Sequence, residues 1–268
     1  MAEVKLAALE KKLLHYTGLA IERFGLIGEN DRVLIGLSGG KDSLALVRLL
    51  HLLRQRAKVR FFLKVVVVEQ NWPGWRRDSL ENWLIQQGYQ YHFENTNIAQ
   101  IVSEHLQTKL DDGQSRIPCM LCSRMRRGVL YRLARESGYT KLALGHHRDD
   151  LISSLLMSIC YNGRISSMPP KLLNDQRDVM LIRPLVYCQE RDIANYVAGL
   201  GLPVCSSGCG VGAESMRSRM RRFIGLLANE NNKVPSNILH ALEDVRLSQL
   251  MDRKQFNFMD LDKDLVSN

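Results

Sequence analysis

Apolar residues recur at three- and four-residue steps in some segments and run unbroken in others, and the two patterns alternate along the chain. Leu6, Leu9, Leu13, Tyr16, Ala20 and Phe24 mark a helix over 4–25, suited to pack on the main domain or on a second subunit. Residues 32–37 read as a buried strand. Residues 43–56 follow as a helix with Leu44, Leu46, Val47, Leu49 and Leu50 inward. Residues 61–68 are too uniformly apolar to face solvent and form a second strand. Asn71 to Gly74 is a turn. A helix over about 75–87, a short strand near 90–93, a loop over 108–118 and a helix over 121–137 come next. A strand over 141–145, a helix over 149–161 and a strand over 179–182 follow. A helix over 190–200 stops at Gly201 and Pro203. Beyond Cys209 the pattern stays helical to about Met251 and ends in a polar tail. The alternation predicts an α/β fold: a parallel five-stranded sheet with helices on both faces and the site at the carboxyl ends of its strands. Residues 1–28 form an N-terminal helix, 29–204 the sheet domain and 205–268 a helical C-terminal extension.

Composition narrows the class. No apolar run reaches eighteen residues, and the first residues lack the apolar core and cleavage site of a secretory signal, so no membrane association and a cytoplasmic setting are expected. Lys and Arg number 37 against 28 Asp and Glu, a net charge of +9 that suits a polyanionic partner. Of the six cysteines, four form close pairs, Cys119 with Cys122 and Cys205 with Cys209. In a reducing compartment such pairs point to metal rather than disulfide. Cys160 and Cys188 read as core packing.

Between the first strand and its helix lies Ser38-Gly39-Gly40-Lys41-Asp42-Ser43. Two glycines permit a tight turn that presents consecutive N–H groups, and the helix start adds partial positive charge. The loop can hold a pyrophosphate, yet it has neither Walker nor dinucleotide-fingerprint spacing. Asp42 serves either as a metal ligand or as a cap of the following helix. Arg124, Arg126 and Arg127 follow the first cysteine pair; Arg217, Arg219, Arg221 and Arg222 follow the second. Cations beside thiolates lower their pKa and attract phosphate, whereas four cysteines alone suit a structural zinc clamp. Basic runs on both sides of the cysteines favour RNA over two solvated helix faces.

The hexapeptide matches the Ser-Gly-Gly-x-Asp-Ser motif of the PP-loop ATP pyrophosphatases, of adenine nucleotide alpha-hydrolase-like fold. Cys119 to Tyr131 (Cys-Met-Leu-Cys-Ser-Arg-Met-Arg-Arg-Gly-Val-Leu-Tyr), Leu144 to Asp150 (Leu-Gly-His-His-Arg-Asp-Asp), Met168 to Leu172 and Ile182 to Leu185 resemble the tRNA 2-thiocytidine synthetases within that superfamily. The resemblance runs from about residue 20 to 261. It implies that ATP, with Mg2+, adenylates the C2 oxygen of cytidine 32 in a tRNA, and that sulfur then displaces AMP. It also implies a [4Fe-4S] cluster on Cys119, Cys122 and Cys209, a cysteine desulfurase as sulfur source, and a homodimer. By position it carries nucleotide binding to Ser38–Ser43, Gly145 and Arg183, catalysis to Asp149, Asp150 and Arg126, and substrate or nucleotide contact to His146 and His147. Arg124, Arg127, Arg217, Arg219, Arg221 and Arg222 are the expected RNA contacts. Two departures stand out. Cys205-x-x-x-Cys209 replaces the usual second Cys-x-x-Cys, and Glu69-Gln70 replaces Asp-Gln after the second strand. The competing readings are a PP-loop enzyme thiolating another nucleoside and a zinc-stabilised RNA-binding protein without sulfur transfer.

Overall fold

Alternate residues of strand β1 (Arg32–Leu37) enter opposite cores: Val33, Ile35 and Leu37 one apolar cluster, Leu34 another. Strand β2 (Phe62–Glu69) repeats this, with Leu63, Val65 and Val67 against Val66 and Val68. A strand buried on both faces needs a helical layer on each. The computed structural model, which describes residues 2–72, 74–110, 119–205 and 216–261 (backbone alone at 2, 106–110, 119 and 120), supplies both layers. The first cluster joins α1 (Ala2–Arg23), α2 (Lys41–Arg56), α3 (Arg77–Gln86), α6 (Arg148–Asn162) and α7 (Glu190–Gly199) through residues such as Leu13, Leu46, Leu80, Leu151 and Ile193. The second joins α4 (Ile98–Leu110) and α5 (Cys119–Glu136) through Val102 and Leu130. Helix α1 is tied down by a hydrogen-bonded chain: Arg48 Nε donates to Tyr196 Oη at 2.9 Å, which donates to Glu10 at 2.6 Å. Among the described residues no helix is long and apolar enough to cross a membrane.

The sheet order is β3 (Tyr91–Asn95), β2, β1, β4 (Lys141–Ala143), β6 (Met180–Ile182), β5 (Lys171–Leu173). Strand β1 pairs in parallel with both β2 and β4. The first crossovers therefore run outward on one side of β1 and the next on the other. Their divergence opens a crevice at the carboxyl end of β1, where the Ser38–Ser43 loop lies.

The sheet has six strands rather than five. The addition, β5, pairs antiparallel with β6 at the edge, Lys171 opposite Ile182. Three residues after Pro169-Pro170 carry no readable periodicity, and only the partner strand makes them a strand. Helix α4 was also unannounced, and it runs to Leu110 where a loop was expected from Thr108. Its buried anchors Ile98 and Val102 are a single turn apart. The long C-terminal helix is instead α8 (Met216–Glu230) and α9 (Val234–Ala241), parted by Asn231-Asn232-Lys233 with Pro235 in the first turn of α9. Cys160 is exposed rather than packed: it lies in the last turn of α6, beyond the buried Leu151, Ile152 and Leu155. Cys188 is in the core, where burial pushes its thiol up to about 12.

One close approach sets the crevice. A Cβ on Gly145, just past β4, would stand 2.9 Å from the carbonyl carbon of Asp42 and 3.0 Å from Ser43 N, backbone atoms that cannot swing aside. Gly145→Ala is expected to cost about 1–3 kcal/mol of stability and to lower Tm by roughly 3–10 °C. Thermal unfolding followed by circular dichroism measures this; an unchanged Tm would mean the two segments separate freely.

Candidate functional site

Three helix N-termini converge here, because β1, β4 and β6 are parallel and lead into α2, α6 and α7. Each delivers partial positive charge and a carboxylate: Asp42 on α2, Asp149 and Asp150 on α6, Glu190 on α7. The loop before α2 is knit by its serines. Ser43 Oγ donates to Gly40 O at 2.8 Å and accepts the Ser38 N–H at 3.1 Å. Gly39 has a φ of +80°, and a Cβ there would meet Trp75 at 2.9 Å and Cys205 at 3.1 Å. The Cys205 N–H donates to Gly39 O at 2.9 Å. Gly40 is the N-cap of α2 and no side chain caps the helix, so its first N–H groups remain available to an anion. Asp42 is therefore not a cap; its Oδ1 is buried with no hydrogen-bond partner, 3.6 Å from His147 Nε2.

His147 is fully buried among three carboxylates. Its Nε2 also lies 3.4 Å from Asp150 Oδ2, and its Nδ1 lies 3.7 Å from Asp149 Oδ2. Burial works to lower its pKa, but Asp149, Asp150 and Asp42 outweigh it, and the imidazole titrates above its ordinary value. His146 behaves oppositely. Burial first, then Arg183, bring it to about 4 against the pull of Asp150, with Arg217 and Arg127 adding to the drop. It is a neutral ring at pH 7 with Nδ1 buried and unpartnered. Asp149 accepts the Glu190 N–H at 2.8 Å and pairs with Arg148 at 3.0 Å. Burial opposes its ionisation, yet His147 and Arg148 hold it well below the usual carboxylate range.

Two adjoining cavities open off this edge. One, of about 180 Å3, is lined by Ser38, Gly40, Asp42, Gly145, His146, Asp150, Arg126 and Arg217. The other, of about 290 Å3, is bounded by Gln70, Trp72, Trp75 and Cys205 and shares Ser38, Gly40 and Arg126 with the first. A larger apolar cavity of about 660 Å3 lies away from the loop between α6, α9 and residues 165–170, with no comparable polar chemistry. Arg126 thus faces both polar cavities from α5. Burial lowers its pKa, Cys122 one turn earlier raises it, and Arg127 lowers it further. Arg183 is buried on the same side, brought down to about 10 by burial and by Arg127, with Tyr131 opposing. Its guanidinium donates to Pro169 O and its Nε is unpartnered. Among the described residues no carboxylate comes within ion-pair distance of Arg126, Arg127, Arg183 or Arg217.

The structure brings together the loop residues, Gly145, Asp150 and Arg126. It turns Lys41 toward Glu190 at 2.9 Å and Asp42 at 3.2 Å. Arg183 acts on His146 and is not in the cavity lining. Cys122 is half-buried; Cys119 opens α5, but its side chain and the whole of Cys209 lie outside the described residues. Arg124, Arg219 and Arg222 are exposed, whereas Arg221 departs from the RNA-facing expectation by turning inward onto Asp150 at 2.8 Å and Glu190 at 3.3 Å. Glu190 escaped the sequence reading, since an acid opening a helix looks like ordinary dipole compensation. Glu69, the departure after β2, is buried and paired with Arg77 at 3.2 Å.

The PP-loop domain family matches residues 16–225. A tRNA-cytidine(32) 2-sulfurtransferase of Coxiella burnetii (strain CbuG_Q212) is 47% identical over 257 residues, 96% of this chain and 98% of that protein. One from Legionella pneumophila (strain Corby) is 45% identical over 260 residues, 97% and 90% of the two chains. The solved U34-tRNA thiolase NcsA from Methanococcus maripaludis, with its [4Fe-4S] cluster, shares the fold at a TM-score of 0.69 and 23% identity, covering 89% of this chain and 78% of that one.

Removing one of the carboxylates around His147 tests the electrostatics. In Asp42→Asn the His147 pKa falls toward its ordinary 6.5, while His146 stays neutral down to about pH 4, both readable by NMR of the imidazole nitrogens. A pKa raised by folding stabilises below the unfolded value and loses that contribution as pH rises through the folded one. The part of the wild-type advantage due to His147 is therefore largest below pH 6.5 and shrinks at higher pH, measurable by urea unfolding across pH. A His147 pKa unmoved by the substitution would show that Asp42 does not act on it.

Proposed function

Because the chain belongs to the tRNA-cytidine(32) 2-sulfurtransferase family of PP-loop proteins, we propose that it uses ATP to activate C2 of cytidine 32 in a tRNA and replaces the oxygen there with sulfur. In this reading the C2 oxygen attacks the α-phosphorus of ATP and pyrophosphate leaves. Sulfur then adds at C2, and AMP departs carrying the oxygen.

The residues present fit the nucleotide. The Gly39-Gly40 turn and the open start of α2 suit a polyphosphate, and Ser38, Ser43 and Lys41 add donors. Asp42, with its unpartnered buried oxygen, and Asp150 suit Mg2+, which would neutralise the phosphates. Arg126 and Arg217 face the same cavity and would hold the α-phosphate as charge moves onto the leaving AMP. Asp149 positions rather than reacts, through Glu190 and Arg148. Burial, with Arg183, keeps His146 neutral in the cavity lining.

The observation that carries the reading is the seat of Arg126. Positions 119, 122 and 126 share one face of α5, and Arg126 reaches both cavities of the PP-loop. A thiolate beside a cation and next to open space suits a reactive metal centre better than a closed structural one. Cys119, Cys122 and Cys209 would hold a [4Fe-4S] cluster, which would supply the sulfur-binding position. Exposed Arg124, Arg219 and Arg222 suit the RNA backbone. A cysteine desulfurase as sulfur source, a homodimer and a cytoplasmic setting complete the proposal.

The test is anaerobic reconstitution with iron and sulfide, followed by nucleoside mass spectrometry of a tRNA incubated with ATP and sulfide. Wild type is expected to carry about four irons and to form 2-thiocytidine. Cys122→Ala is expected to lose cluster and product while still binding ATP, and Cys205→Ala to keep both. One zinc without sulfide and no thiolated nucleoside would turn the reading into a zinc-stabilised RNA-binding protein. Thiouridine in place of thiocytidine would change the substrate.

A further inference from the structure

Asp150, one of the two carboxylates that would receive a divalent cation, already has a protein cation. Arg221 Nη2 lies 2.8 Å from Asp150 Oδ1 and Nη1 lies 3.3 Å from Glu190 Oε1. The same Glu190 oxygen takes Lys41 at 2.9 Å, and Lys41 also reaches Asp42 at 3.2 Å. One guanidinium thus links α8 to the first turns of α6 and α7, and through Glu190 to the loop lysine. Arg221 Nε is buried without a partner, while the side chain as a whole keeps 37% of its surface exposed and so stays within reach of a phosphate. Yet it belongs to a helix that buries Ile224 alone and presents Arg219 and Arg222 outward. Helix α8 packs against α6 and α9.

We infer that Arg221 is an interlock between RNA docking and the nucleotide site: without RNA, anchored by Glu190, it occupies the Asp150 carboxylate in place of the metal of the nucleotide, and RNA phosphates seated on α8 draw it away. The inference rests on the proposed function. Its physical basis is competition for one charge. A divalent cation at Asp150 meets a guanidinium already there, and like charges at that separation repel. A phosphate offers the same guanidinium a bidentate partner of matching geometry. Once Arg221 moves, Glu190 keeps Lys41 near the loop and Asp150 faces the cavity free of its cation. Arg221 is in this sense a positioning residue; it need not touch the reacting atoms.

Coupling of this kind is reciprocal and is read by binding alone. The probes are Mn2+ with an ATP analogue carrying a methylene between the α- and β-phosphorus, and an unmodified tRNA transcript bearing cytidine at position 32. Bound Mn2+ is followed by electron paramagnetic resonance in the full chain. In wild type, saturating tRNA is expected to tighten Mn·nucleotide binding about tenfold, and Mn·nucleotide to tighten tRNA binding by the same factor in a gel-shift titration. Arg221→Ala is expected to bind Mn·nucleotide without tRNA at about the affinity wild type reaches with it, and to lose the response to tRNA. Arg221→Lys, which keeps one charge and gives up the fork, is expected to fall between. The reciprocal wild-type titration needs no variant and guards against an unstable Arg221→Ala. Independent binding of the two probes to wild type would overturn the interlock and leave the proposed function standing. A full response to tRNA in a folded Arg221→Ala would do the same. Failure to bind tRNA or nucleotide at all would overturn both.

Discussion

The convergence of three helix N-termini at the carboxyl edge of a parallel sheet governs the rest of this structure. Parallel pairing of β1, β4 and β6 sends α2, α6 and α7 away from one edge, so their positive dipole ends meet. Each first turn answers with a carboxylate. Asp42, Asp150 and Glu190 would repel one another without the Lys41, His147 and Arg221 side chains set between them. The contact of Gly145 with the first turn of α2 brings these groups close, and their partial burial strengthens the charge pairs.

Charge is sorted across the crevice. Carboxylates lie on the α2, α6 and α7 side, while Arg126, Arg127, Arg183 and Arg217 gather toward α5 and α8 without acidic partners among the described residues. Burying unpaired guanidinium groups is costly, as the lowered pKa values of Arg126 and Arg183 register. Such a cost is tolerable where an anion completes the set. Carboxylates on one wall and cations on the other suit the nucleotide of the proposed function between them, with the neutral His146 at the boundary. Helix α5 brings Cys122 to the cationic wall, one turn before Arg126, which lines both cavities. The inward turn of Arg221 joins the two walls, since α8 is otherwise a basic surface helix.

The sequence by itself determined the α/β alternation, because buried strands and amphipathic helices leave different periods in the chain. It also identified the phosphate loop and the family, since Ser38–Ser43, Cys119–Tyr131 and Leu144–Asp150 are contiguous motifs. Contiguity is what makes a residue legible, as its neighbours carry the signal. Strand β5 was illegible, because three residues become a strand only by pairing with β6. Cys160 was misjudged because helical phase does not say how far along α6 its neighbours continue. Tertiary structure alone decided the pairings between residues far apart in sequence. It turned Asp42 from a helix cap into a neighbour of His147, recruited Glu190 to Lys41 across 149 positions, and turned Arg221 inward while Arg222 faces out. Electrostatic partnership falls off with distance in space rather than in sequence, and only the packed sheet and its helices bring those charges within reach of one another.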